Sequence, residues 1–409
     1  MIERDVAEVG IESIAAGGDG VGRRDGLVVF VPRTAPGDLA RVRLRPGRHF
    51  ARGSLEAISR AGPDRIDPPC PHYTRDRCGG CQLQHISYAG QLAAKRGIIG
   101  DALRRIGRRQ VDVPDVRPSD APWRYRRKLT LTVRRTGAGW VAGLHPYDDP
   151  VGVFRLRDCP ITDERVVAVW RDVFRAARHY PDAVSFRGAV RLVDADAVFV
   201  VEGGSRWFDA DRFFDAVPSL SALWWQPEAG ARRLVAERGA VPAGASFAQV
   251  NPGVALALRD HVVALARART PLRVVDAYAG TGDTSVALAE GGAVVTAIEL
   301  DPEAADICRR RLPVGSRVVT GRVEDALPAA LPADVVILNP PRGGLHERVA
   351  AALAGVTPPP RVVIYVSCNP ATLARDLTRL PGFGVASVVG FDMFPQTAHV
   401  ETVCELVTT

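Results

Sequence analysis

Seven cysteines, a late glutamate and a pair of glycines carry most of the chemistry open to this 409-residue chain. Cys368 stands in YVSCNPATLARDL, between a β-branched apolar run and a stretch whose pattern predicts a helix with Pro370 in its first turn. A thiol at such a strand-to-helix turn meets open backbone N–H groups and the positive end of the helix dipole. Both are expected to lower its pKa and make it a nucleophile. Cys308 falls in a helical stretch and Cys404 in the terminal apolar strand, where a cysteine is a small core residue. Cys70, Cys78 and Cys81 cluster in CPHYTRDRCGGC, and Cys159 follows in RLRDCP. An odd total argues against a disulfide framework, so these four read as ligands of a metal or cluster. Four thiolates alone suit Zn²⁺ and an iron–sulfur cluster equally.

The segment VVDAYAGTGDTSVALA reads as strand, glycine turn and helix. Gly280 and Gly282 permit a tight turn and leave the helix N-terminus open to a ligand. Glu299 ends the next predicted strand, where a carboxylate can accept ribose hydroxyls. Asp283 after the G-x-G would repel a pyrophosphate but tolerate a sulfonium, which favours S-adenosylmethionine over NAD. Downstream, VVILNPPRGG places Asn339 and a rigid, donor-free backbone at the carboxyl edge of a predicted sheet.

A nucleophile beside a methyl donor answers one chemical problem. Carbon 5 of uracil is too poor a nucleophile to be methylated directly, and thiolate addition at carbon 6 activates it. A base must then remove the carbon-5 proton, and Glu401, at the start of the last predicted strand, is the candidate.

Three regions must position these groups, and the fold class expected is α/β. Residues 1–60 show short alternating runs with Gly-rich turns, which predict an OB-type β-barrel. Arg41 and Arg43, with Arg45, Arg48 and Arg52, would make one end of it basic. Residues 61–242 read as a central α+β domain holding the cysteine cluster. Its Trp123–Lys128 run interleaves aromatics and cations, a pattern that can stack bases and bind phosphates. Trp123, Tyr125, Arg126 and Lys128 are its candidate RNA contacts. Residues 243–409 alternate β- and α-patterns and predict a doubly wound, mostly parallel Rossmann-like sheet.

Net charge is +7 and the pI about 9.3, which favours a polyanionic partner, although the Arg-rich bias also suits a GC-rich genome. The acidic N-terminus and the lack of an apolar run of membrane length lead us to expect a cytoplasmic protein without a membrane partner.

GGC with Cys70 upstream, Gln249 in FAQVNP, DAYAGTG, NPPRGG, SCNPATLARD and DMFPQTAHVE occur here in order. In this the chain resembles the bacterial RNA 5-methyluridine methyltransferases, the group containing the 23S rRNA and tRNA enzymes. Residues 1–60 resemble a TRAM domain in their G-x-G-V turn and VFVPRTAPGD segment, which implies an RNA-binding module. The resemblance implies Cys368 as nucleophile and Glu401 as base, with Gln249, Tyr278, Glu299 and Asn339 lining the S-adenosylmethionine site. It also implies that Cys70, Cys78, Cys81 and Cys159 hold a structural [4Fe–4S] cluster. The sequence departs from the family pattern in three ways. Asn339 replaces an Asp, which implies weaker cofactor binding. Asp283 and Arg322 stand where other polar residues are common, and the Cys70–Cys78 loop is longer than usual.

The resemblance makes 23S rRNA the expected substrate and a monomer the expected state. A tRNA uridine-C5 enzyme, or a divergent RNA-binding or RNA-folding protein with weakened catalysis, is the alternative. A cytosine-5 enzyme would need a cysteine after the proline of NPPRGG, and none is there. An N6-adenine enzyme would leave Cys368 and Glu401 without work. A deep pocket at a sheet edge further requires a uridine that is unstacked or flipped.

Overall fold

A computed structural model describes residues 6–112, 114–239 and 249–409. The expected boundary at 242/243 lies outside the described residues. The chain begins with β1 (Val6–Ile14), β2 (Gly20–Arg24), β3 (Leu27–Val31), β4 (Leu39–Pro46) and β5 (Phe50–Arg60). They close into a barrel in the order β1-β2-β3-β5-β4, with β3 and β5 parallel, as in an OB-type barrel. Period-two alternation turns Val9, Ile11, Val29 and Val42 inward. Arg41, Arg43 and Arg45 consequently face out along β4. Glu56 already holds Arg41 at 3.7 Å and Arg43 at 2.6 Å, so this basic stripe is partly neutralised.

Next come α1 (Pro71–Thr74), α2 (Tyr88–Arg105), β6 (Asp115–Arg117), β7 (Lys128–Thr136), β8 (Gly139–Leu144), β9 (Phe154–Arg155) and α3 (Glu164–Arg175). They are followed by β10 (Ser185–Val193), β11 (Asp196–Glu202), α4 (Ala210–Asp215), β12 (Ala222–Gln226) and β13 (Arg233–Glu237). Seven of these strands form a sheet in the order β13-β12-β11-β10-β7-β8-β9, with a core of Trp170, Phe199, Phe213 and Trp207. The Trp123–Lys128 run differs from expectation. Only Lys128 is in a strand, and β7 lies inside the sheet. Trp123 packs against the central core, and Tyr125 is 6% exposed with its hydroxyl donating to the Pro395 carbonyl at 3.0 Å. A ring so enclosed cannot stack a base, which removes Tyr125 from the RNA contacts.

The remainder is α5 (Pro252–Arg267), β14 (Arg273–Ala277), α6 (Asp283–Glu290), β15 (Val294–Glu299), α7 (Pro302–Arg311), β16 (Arg317–Thr320) and α8 (Val323–Ala330). It ends with β17 (Val335–Leu338), α9 (Glu347–Gly355), β18 (Val362–Ser367), α10 (Pro370–Leu377), β19 (Phe383–Phe391) and β20 (Glu401–Thr408). The eight-stranded order is β16-β15-β14-β17-β18-β20-β19-β6, parallel except that β20 runs against both neighbours. Strand order reverses between β14 and β17, the switch point where open α/β sheets bind ligands. β6 and α2, from the middle of the sequence, are built into this layer, with α2 packed on α10. Among the described residues no helix is long and apolar enough to cross a membrane.

Candidate active site

Strand β18 is fully buried because Val362–Val366 is an unbroken β-branched and aromatic run. It stops at Ser367, and α10 starts at Pro370, so Cys368 occupies the turn between them. The Asn369 side chain caps α10, accepting from Ala371 N at 3.1 Å and Thr372 N at 3.4 Å. The β18–β20 register pairs Ser367 with Thr402. One step further along that ladder, Cys368 comes beside Glu401, the first residue of β20.

Electrostatics here run against the expectation of a thiol lowered by the helix dipole. Burial first, and then the neighbouring Glu401 carboxylate, push the half-buried Cys368 thiol up; Arg342 pulls it back through charge and a side-chain hydrogen bond. Desolvation of the thiolate therefore outweighs the helix terminus. Burial also raises Glu401, 7% exposed, to about 7, again with Arg342 opposing. His399 is lowered by burial and by Arg342, Lys95 and Arg126. Arg342 thus sits within electrostatic reach of all three groups, a role the sequence did not disclose. Its loop is strapped to α10. Thr372 Oγ1 donates to the Arg342 carbonyl at 3.3 Å and Arg375 to that of Gly343 at 2.8 Å. Gly344 has φ +83°, and a Cβ there would lie 2.3 Å from the Asp376 carboxylate.

The cofactor half is built from the glycine turn. Tyr278, Gly280 and Gly282 all have positive φ, at 64°, 58° and 84°. A Cβ on Gly280 would meet open space, whereas one on Gly282 would strike Cys308 Sγ at 2.4 Å. The core cysteine therefore supports the turn from below. Glu299 accepts from Gly280 N at 2.7 Å and Asp301 N at 2.8 Å, which pins its carboxylate at the mouth. Behind it, burial lifts Asp276 to about 6, with Ser285 Oγ donating to it at 2.5 Å. Asn339 is exposed at the end of β17, its N–H on the Ala277 carbonyl at 3.3 Å. Gln249 is half-buried just before α5. Open space over Gly280, a fixed carboxylate and a polar strand end suit an adenosyl ligand. Asp283 is tied by Arg311 at 2.6 Å, so its charge is answered within the protein and does not itself select a sulfonium. Arg322 pairs with Glu324 at 3.5 Å.

The loop leading to Glu401 is held from α2. Lys95 and Gln91, one helical turn apart, are both buried. Lys95 Nζ bonds the Asp392 carboxylate and the Phe394 carbonyl, the latter at 3.1 Å. Gln91 exchanges two 2.9 Å bonds with Gln396. Periodicity marked α2 as a helix but could not reveal that its buried face carries Gln91 and Lys95 beside Ile98, Ile99 and Leu103.

Cys70, Cys78, Cys81 and Cys159 are all buried and line one cavity of about 180 Å³. Burial lifts the Cys78 thiol to about 11 and also raises Cys81 and Cys159, and neighbouring thiols push each other further up. Arg33 of the barrel holds this segment, donating to the Tyr73 and Cys78 carbonyls and lying over the rings of Tyr73 and Tyr147 at 4.1 and 4.3 Å. The donor set suits a thiolate-ligated group. Among the described residues, however, no three His, Cys, Asp or Glu side chains group closely enough to hold a metal ion, so the expected ligand sphere is not formed.

Fold and site together define a Rossmann-like S-adenosylmethionine-dependent methyltransferase. The sequence model of the tRNA (Uracil-5-)-methyltransferase family matches residues 321–408. An uncharacterized RNA methyltransferase of Halalkalibacterium halodurans is 31% identical, over 99% of this chain and 97% of its own. One from Thermosynechococcus vestitus is 32% identical, over 98% of each. The solved Pyrococcus abyssi tRNA (uracil-54, C5)-methyltransferase, in complex with S-adenosyl-L-homocysteine, superimposes with a TM-score of 0.72 at 23% identity. That likeness covers 98% of this chain and 100% of the other. The chain belongs to the uracil-5 RNA methyltransferase family.

Proposed function

We propose that the protein forms 5-methyluridine in RNA, with Cys368 as nucleophile and Glu401 as general base. The meeting of β18 and β20, which brings thiol and carboxylate together beside Arg342, carries this reading. Cys368 adds as the thiolate to uracil carbon 6, and the guanidinium of Arg342 offsets the cost of ionising a half-buried thiol. S-adenosylmethionine, when bound, supplies an electrophilic methyl group; Gln249, Tyr278, Gly280, Gly282, Glu299 and Asn339 hold it. Glu401 then takes the proton from carbon 5, and elimination breaks the bond at carbon 6 and releases Cys368 as the thiolate. A carboxyl raised to about 7 is well matched to that transfer near neutral pH.

The RNA presents its uridine unstacked or flipped, and the TRAM-like barrel with Arg126 and Lys128 holds the flanking backbone. The four thiols of the central region line one cavity, and they would have to draw closer to take up a structural [4Fe–4S] cluster, with zinc as the second choice. The first target is 23S rRNA, the protein acting as a cytoplasmic monomer. A tRNA target is the second reading, favoured by the likeness to the archaeal tRNA enzyme.

RNA containing 5-fluorouridine tests the chemistry. Wild type should form a covalent adduct that survives denaturation, and Cys368→Ala should not. A methyl group mapped to an exocyclic nitrogen overturns the reading. Mass-spectrometric mapping of rRNA and tRNA from a deletion strain identifies the target.

A further inference from the structure

We propose that a cleft beside α3, separate from the methylation site, binds one unstacked nucleotide of the RNA substrate. The cleft lies between α3 and the strands β7, β8 and β9, with a volume of about 440 Å³, within the range of ligand pockets. Its bed is apolar, formed by buried Leu129, Leu131 and Trp170 with half-buried Phe174 beside them. Its rim is cationic: Arg155, Arg157, Arg171 and Arg175 are all exposed around it.

The charges of the rim are unevenly answered. Arg175 is paired with Asp172 at 2.6 Å. The one carboxylate in the lining, Asp158, is taken by Arg124 at 2.8 Å. Arg155, Arg157 and Arg171 form no close ion pair among the described residues, Arg171 acting on Asp158 only at longer range, and the Arg155 guanidinium lies over the Phe174 ring at 4.7 Å. An apolar bed with a planar cation at its lip accepts the face of a base, and free guanidinium groups accept the adjoining phosphate. Charge complementarity therefore selects a polyanion with flat rings. The Trp170 N–H already donates to the Leu129 carbonyl at 3.0 Å, so it is not free to read a base edge. Binding here is by stacking and charge, and every base should serve. The inference rests on the substrate being RNA, as proposed above.

Anisotropy of labelled single-stranded RNA 12-mers of each base composition, with the full chain, tests it. The double variant Arg155→Ala/Arg171→Ala, at two exposed positions, should bind about 10-fold more weakly. It should also reduce the slope of log affinity against log salt by about 1. Phe174→Ala should weaken binding about 5-fold with the slope unchanged. Both variants should still form the fluorouridine adduct through Cys368 at saturating RNA. Equal affinity and slope in wild type and the double variant overturn the proposal. So does unchanged RNA affinity together with a loss of self-association, which makes the cleft a protein contact. Absence of the adduct in wild type instead overturns the catalytic reading and leaves the cleft standing.

Discussion

Cys368 and the four cysteines of the central region lie in different places, and burial pushes Cys368, Cys78, Cys81 and Cys159 upward alike, yet their surroundings differ. Cys368 is half-buried at the carboxyl edge of a parallel sheet, with a carboxylate and a guanidinium in reach. Cys70, Cys78, Cys81 and Cys159 are buried around a cavity whose one carboxylate is held by Arg124; their sulfurs raise one another, with Arg33 opposing at Cys78 and Arg126 at Cys159. The first arrangement can ionise, attack and be released. The second can only be stabilised by something positive placed among the sulfurs. Burial alone therefore does not say what a cysteine does; the neighbours and the route to solvent decide it.

Substitution should separate the two regions cleanly. Cys368→Ala should lower turnover by about 10⁴-fold or more while leaving the melting temperature nearly unchanged. Steady-state methylation and calorimetry measure the pair, and a large drop in melting temperature would erase the contrast. Cys81→Ser should do the reverse, removing bound iron or zinc and several kcal/mol of stability. Turnover per folded molecule should then stay within about twofold of wild type, as metal analysis and chemical denaturation check.

Lys95→Met leaves Asp392 buried and uncompensated, at a cost of about 3–5 kcal/mol. The double variant Lys95→Met/Asp392→Leu should recover most of that stability but not full turnover, because Glu401 loses the clamp on its loop. Equal recovery of both would show that the clamp is only structural.

The smallest effect concerns Glu401, whose carboxyl is raised by burial from 4.5 to about 7. The folded state keeps a proton that the unfolded chain releases above pH 4.5, so stability falls as pH rises through that window. The loss is complete above pH 7 and is on the order of 3 kcal/mol. Glu401→Gln should therefore be more stable than wild type at pH 8 and equal to it at pH 4, while turnover falls by about 10²–10⁴-fold. In wild type kcat/KM should climb through about pH 7 and continue upward as the raised Cys368 thiol ionises.

Much of this could be read directly from the residues. The run before Cys368, the proline after it and the asparagine between them specify a strand, a turn and a capped helix through local dihedral and hydrogen-bond preferences. The glycines at 280 and 282 mark a left-handed turn for the same reason, and the positions of Cys308 in a helical stretch and Cys404 in the terminal apolar strand made them core residues. Charge states were not legible. The sequence predicts a lowered Cys368 thiol, but desolvation and the distant Arg342 set it, and Arg311 answers the Asp283 charge that was expected to repel a pyrophosphate. Nor could local pattern show that Tyr125 is enclosed.

The amino-acid sequence by itself determined the elements and the order of the reactive residues along them, because secondary structure and turn chemistry depend on neighbours a few positions away. Only the tertiary structure decided which groups share an environment. Lys95 meets Asp392, and the cysteine pocket joins residues from Cys70 to Cys159, through packing between segments far apart in the chain. Burial and Coulomb interactions act through space, so they exist only once those segments have met.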